Sequence, residues 1–127
     1  MKTHSSEILL VYNPDSEWGK RAAAHAKSLV PHLKMYTFEQ SPFTKTDWQG
    51  IIKSLDIPPK KLLNKSLSEY QEKYKGTDFK EEDWLDILVR NPQLIRAPIG
   101  IRGKQVVLCE RPTDIHKLTS DEKKFEE

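Results

Sequence analysis

The chain has 127 residues, of which 36% are hydrophobic and 31% charged, with a formal net charge of +2. That length suits one domain with a modest core, and the recurring apolar runs exclude a disordered chain. The small, dispersed charge gives no electrostatic case for direct nucleic-acid or membrane binding, and the densest basic clusters, PPKKLLNK and DEKKFEE, read as solvated faces.

Glu7 to Tyr12 is a short apolar run ended by Asn-Pro, the pattern of a strand. Good helix formers follow from Glu17 to Val30, with Ala22, Ala23, Ala26 and Leu29 forming an apolar stripe, Asp15 or Ser16 as N-cap, and Pro31 as the stop. Leu33 to Phe38 alternates and reads as a second strand. Thr44 or Thr46 caps a short helix that places Trp48, Ile51, Ile52 and Leu55 on one face before Pro58 and Pro59. KKLLNKSLSEYQEKYKG reads as a loop and a helical turn closed by Gly76. Asp78 then caps a helix whose buried face is Phe79, Trp84, Leu85 and Leu88, with Asn91-Pro92 as its end. Leu94 to Ile101, a turn at Arg102-Gly103-Lys104, and Gln105 to Cys109 read as a β-hairpin. Pro112 to Leu118 reads as a final helix, and the charged tail 119–127 either frays or extends it.

The order β-α-β, helices, hairpin, helix predicts an α/β fold: a small mixed β-sheet flanked by helices, with a parallel pair at its start. The chain is read as a single domain with a core over about 7–118 and an inserted helical region over about 41–91. No apolar segment suits a signal peptide or a membrane span, so a cytoplasmic location is expected. The lone cysteine, Cys109, leaves no internal disulfide, and the four histidines, His4, His25, His32 and His116, lack zinc spacing and read as surface or satisfied side chains. No metal is expected.

The stretch NPDSEWGKRAAAHAK, Asn13 to Lys27, stands where a strand gives way to a helix, and backbone N–H groups at a helix start attract anions. This stretch, as VYNPDSEWGKRAAAHAKSL, together with KKLLNKSLSEYQEKYKG and NPQLIRAPIGIRGKQVVLCERPTDI, resembles the ArsC family of glutaredoxin-coupled arsenate reductases and the related Spx regulators. The third stretch is the most specific, because its order, spacing and hairpin all agree. The resemblance implies a thioredoxin-like fold over about residues 7–118.

The family's chemistry uses a low-pKa thiolate at the start of the first helix, attacking an arsenate held by arginines. Mapped onto this chain, the cysteine position is Ser16 and the second cysteine of the CxxC version falls on Gly19. The matched arginines fall on Lys20 (with Arg21 beside it), Asn64 and Ala97 (with Arg96 beside it). Arg111 alone is kept, after an extra residue, Glu110. Serine forms no disulfide with glutathione, so no catalytic residue is expected. Cys109 reads as a small buried hydrophobe. The resemblance also implies that Pro98 is a cis-proline facing the turn.

Three functions follow from this pattern. In the first, the fold is kept, redox activity is lost, and the protein works by binding, with Ser16, Lys20, Arg21, Arg96 and Arg111 as candidates to hold a small oxyanion. Asp15 and Glu17 would oppose that anion, and Ser16 as a plain N-cap among surface charges is the competing reading. In the second, the chain is a regulator like Spx with a protein partner, RNA polymerase, and Trp18 is either an interface anchor or packed on the helix it begins. In the third, it is a working reductase drawing on glutathione and glutaredoxin through Cys109 or without a thiol; otherwise no cofactor is expected.

Overall fold

A computed structural model describes residues 6–118. The chain divides into two compact units, Met1–Ser41 with Ala97–Glu127, and Pro42–Arg96. The tail 119–127 and His4 lie outside the described residues.

In the first unit, β1 (Glu7–Tyr12), α1 (Glu17–Lys27) and β2 (His32–Thr37) are followed, after the other unit, by the hairpin β3 (Ile99–Arg102) and β4 (Gln105–Leu108). The sheet order is β2-β1-β3-β4. β1 pairs parallel to β2, from Glu7↔His32 to Tyr12↔Thr37, and antiparallel to β3, with Leu10 opposite Gly100. β1 lies inside the sheet, and its run Ile8–Val11 is buried without the alternation of a half-exposed strand. β2 lies at the edge, where Met35 stays 36% exposed.

One face of this sheet carries Ile8, Leu10, Val107 and Cys109, packed with Ala22, Ala23 and Ala26 of α1, Val30, and Ile115 and Leu118 from the chain's end. Gly100 belongs to the same layer. A Cβ there would stand 2.4 Å from Ile115 Cδ1, so glycine lets the closing 3₁₀ helix (Pro112–Lys117) lie close on the sheet.

The second unit holds α2 (Lys45–Leu55), α3 (Pro59–Leu62), α4 (Ser68–Lys73) and α5 (Glu81–Arg90). A capping box starts α2: Thr44 Oγ1 accepts from Asp47 N–H at 3.1 Å while Thr44 N–H donates to Asp47 Oδ2 at 3.0 Å. Trp48, Ile51, Leu62 and Leu88 are fully buried. Around Trp84 gather Tyr70, Tyr74 and Phe79, at ring separations of 6.2, 6.4 and 5.1 Å. Lys45 Nζ reaches Asp86 Oδ1 at 2.7 Å, joining α2 to α5.

Several expected boundaries shift. α1 ends at Lys27, short of Val30: the residue before Pro31 is disfavoured in helix, and Ser28 Oγ donates to His25 O at 2.6 Å, taking up an end carbonyl. Phe38 leaves β2 for a 3₁₀ turn capped by Thr37. α5 begins at Glu81, with Lys80 rather than Asp78 at the N-cap, because Asp83 accepts from Lys80 N–H at 3.3 Å. The hairpin's first arm begins at Ile99, not Leu94; Pro92–Leu94 is a 3₁₀ turn, and Ile95 makes a single bridge to Leu63. The final helix is 3₁₀.

Pro98, expected as a cis-proline, follows a trans bond, since no cis peptide occurs among the described residues. Trans is the default of X–Pro bonds by about 0.5–1 kcal/mol. Here Pro98 O accepts from Cys109 N–H at 2.8 Å, adding a bond beyond the β3–β4 ladder.

Candidate functional site

The turn between β1 and α1 is built by its own polar residues. Asn13 Oδ1 accepts from Asp15 N–H at 2.9 Å, and Asn13 O accepts from Ser16 N–H at 3.0 Å, so the chain reverses immediately after the strand. Ser16, not Asp15, is the N-cap. Its backbone is extended, and its Oγ accepts from Trp18 N–H at 3.2 Å. The hydroxyl that occupies the thiol position thus satisfies one of the helix's first donors.

Gly19, the second mapped cysteine position, is buried at a close approach. A Cβ there would lie 2.7 Å from both Cβ and Cδ2 of Tyr12. The last side chain of β1 fills the space that a second thiol would need, and a Cβ as a neighbour cannot swing aside as a flexible side-chain end would.

Trp18 is tied to a distant stretch of its own unit. Its indole Nε1–H donates to Glu110 O at 2.9 Å, across 92 positions of sequence, while the residue keeps 38% exposure. The side chain is tethered to the exit of β4 with part of its ring in solvent. Glu110, expected from the sequence as an extra residue, contributes the carbonyl that the indole uses.

Of the basic candidates, Lys20, Arg21 and Arg111 stand exposed on the first unit. Arg21 Nη2 lies 3.6 Å from Glu17 one turn back, with a side chain 62% exposed. Arg111 Nη2 lies 3.7 Å from Asp114 Oδ1. Arg96 belongs to the second unit, where its Nε–H donates to Lys61 O at 2.8 Å. An exposed pair such as Arg21–Glu17 contributes at most about 1 kcal/mol.

Cys109 is fully buried. Burial, aided by the negative charge of Asp114 and opposed by Lys117, pushes its thiol up to about 12. At neutral pH it is a protonated apolar side chain and neither a nucleophile nor a metal ligand. Among the described residues, no group of three or more His, Cys, Asp or Glu side chains is placed to hold a metal ion, and no helix is long and apolar enough to cross a membrane.

The tether, the Tyr12–Gly19 contact and the buried state of Cys109 are long-range facts, and sequence reasoning reached only the last. The signal for the second was an aromatic residue ending β1 seven positions before a glycine in a helix. Nothing local marks the first.

Comparison with solved structures shows the same fold. An arsenate reductase from Vibrio cholerae superposes with a TM-score of 0.77 at 12% identity, covering 91% of this chain and 99% of that one. A protein from Bacteroides fragilis described as ArsC-family related gives 0.74 at 19% identity, with 91% and 100% covered. An arsenate reductase related protein from Brucella melitensis gives 0.65 at 9% identity, with 91% and 96% covered. No curated protein matches. The fold is thus thioredoxin-like, and the family model itself covers residues 12–118, from the last residue of β1 to the residue that follows the closing 3₁₀ helix. The chain belongs to the ArsC family.

Proposed function

We propose that this protein is a redox-inactive ArsC-family member that works in the cytoplasm by binding, through the surface where Trp18 meets Glu110. The observation that carries this reading is the separation of sulfur from the site. Ser16 stands at the nucleophile position as an N-cap, and the chain's one sulfhydryl is buried with a pKa of about 12. Reducing arsenate takes two electrons through a thiolate, and a serine hydroxyl can supply neither the electrons nor a mixed disulfide. The carboxylates beside Arg21 and Arg111, Glu17 and Asp114, oppose a small oxyanion there and so favour a protein surface as the ligand.

A glutaredoxin-coupled arsenate reduction assay tests the first half of the proposal. Turnover at the no-protein background is expected. Turnover that disappears in Cys109→Ala would overturn it and make the protein a working reductase.

The tethered Trp18 also favours a second reading, a regulator of the Spx type that contacts RNA polymerase, since a rigid, part-exposed tryptophan is the kind of group that anchors an interface. Affinity capture of RNA polymerase by the wild-type chain, lost in a folded Trp18→Ala variant, would select this reading. Capture unaffected by Trp18→Ala would remove Trp18 from the proposed surface.

A further inference from the structure

Two histidines that lie 91 positions apart in sequence meet at the surface. His25 stands on α1 and His116 on the closing 3₁₀ helix. His25 Nδ1 and His116 Nε2 are 2.9 Å apart, and the rings meet edge to face at 77° with centroids 4.9 Å apart. The packing beneath imposes this meeting. Ala22 and Ala26 of α1 share one buried cluster with Ile115 and Leu118, so the backbones that carry the two rings are fixed by the core. The rings themselves lie at the surface, where rotation costs little.

In the metal-free pair, one ring N–H donates to the other ring's lone pair. Moving that proton to the donor ring's other nitrogen leaves two lone pairs facing one another, and a modest rotation of both rings aims them at a common point. Metal–imidazole bonds are about 2.0–2.1 Å, and at a right angle they put two nitrogens about 2.9 Å apart; a tetrahedral angle would spread them to roughly 3.3 Å. The observed separation therefore matches neighbouring positions on a tetragonal ion. Tetragonal nitrogen and oxygen sets suit Cu²⁺ or Ni²⁺, of which Cu²⁺ binds more tightly.

We propose that His25 and His116 form a chelating site for a tetragonal divalent transition metal, Cu²⁺ foremost, with water in the remaining positions. Among the described residues no third His, Cys, Asp or Glu completes the set, which makes the site an open one. Asp114 is committed elsewhere: it accepts from Arg111 N–H at 2.9 Å and lies 3.5 Å from Lys117 Nζ, which draws that ammonium toward the carboxylate. The site is separate from the binding surface proposed around Trp18 and stands or falls without it.

The test is titration of the full chain with Cu²⁺ in a non-coordinating buffer, read by calorimetry and by electron paramagnetic resonance. His4 and His32 can also bind copper, so His25→Ala and His116→Ala are compared with His4→Ala and His32→Ala. Either substitution in the pair is expected to remove one copper equivalent or weaken it at least tenfold, with loss of its two-nitrogen signature, while His4→Ala and His32→Ala retain it. Circular dichroism of each variant checks that the fold is unchanged. Copper affinity and spectrum unaltered in both His25→Ala and His116→Ala, or copper uptake accounted for by His4 and His32 alone, would overturn the proposal.

Discussion

The start of α1 and the end of β4 are opposite environments within one unit. At the start of α1 the backbone is polar and open: Asn13 and Ser16 serve N–H groups, and Lys20, Arg21 and Glu17 stand in water. Past the end of β4, Cys109 is sealed among Leu10, Ala22 and Ile115. The first place would stabilise a thiolate and holds no sulfur; the second holds the sulfur and suppresses its ionisation. The packing that makes the sheet puts no demand on which side chain stands at the start of α1, so the fold by itself does not require sulfur there.

Placing sulfur in the open position is the strongest way to probe this contrast. At pH 7 a thiol at about 12 is ionised to roughly one part in 10⁵, against a few per cent for an unperturbed thiol near ~8.5. Ser16→Cys should therefore be alkylated by iodoacetamide on the order of 10³ times faster than Cys109, or faster still if the helix start lowers its pKa. Mass spectrometry of partially labelled protein reads both sites at once. Equal rates would mean that Cys109 opens to solvent, and the contrast would collapse.

The second probe concerns the space around the turn. In an ordinary helix interior Gly→Ala gains about 1 kcal/mol. At Gly19 the sign should reverse, with Gly19→Ala losing about 1–3 kcal/mol by overpacking, because its Cβ meets Tyr12 at 2.7 Å. Denaturant unfolding measures this. Tyr12→Ala in the same chain should relieve only part of the loss, since it removes the ring contact and keeps the Cβ. Stabilisation by Gly19→Ala would mean that the turn has room for the second cysteine after all.

A smaller effect belongs to the cap. Ser16→Ala should cost about 1 kcal/mol and Ser16→Asp much less, because the carboxylate replaces the acceptor for Trp18 N–H. If Ser16→Ala leaves the unfolding midpoint unchanged, the hydroxyl is not held by the helix and is free for another partner.

What could be read from the sequence was local. β1 is an apolar run with a proline stop, and Thr44 with Asp47 three residues on is a capping pair, so both are written within a few residues. Leu94 and Ile95 look like strand, but the proline two residues before Leu94 starts a 3₁₀ turn and Ile95 finds only a single bridge. At the candidate site the residue types were legible: a serine at the helix start, and several cations. Their use was not. Trp18 reaching Glu110, Tyr12 filling the space beside Gly19, and His25 meeting His116 all depend on how close the strand ends and helices come, which neither periodicity nor propensity encodes.

The least disruptive probe sits just beyond β4. The Asp114 carboxyl is held below the ordinary carboxylate range, first by the N–H of Arg111 at 2.9 Å and then by the charges of Lys117 and Arg111, with burial opposing them. A carboxyl whose folded pKa lies below its unfolded value stabilises the fold fully above about pH 4, and that contribution is lost as pH falls through the folded value. Asp114→Asn keeps an oxygen acceptor for the Arg111 N–H and removes the charge. The wild type should be the more stable at pH 7, and its advantage over Asp114→Asn should shrink below about pH 4, as read from denaturant midpoints across that range. Parallel curves would mean that the folded state does not hold the Asp114 carboxyl below its unfolded value, and that the 3₁₀ helix closing the sheet owes nothing to that charge.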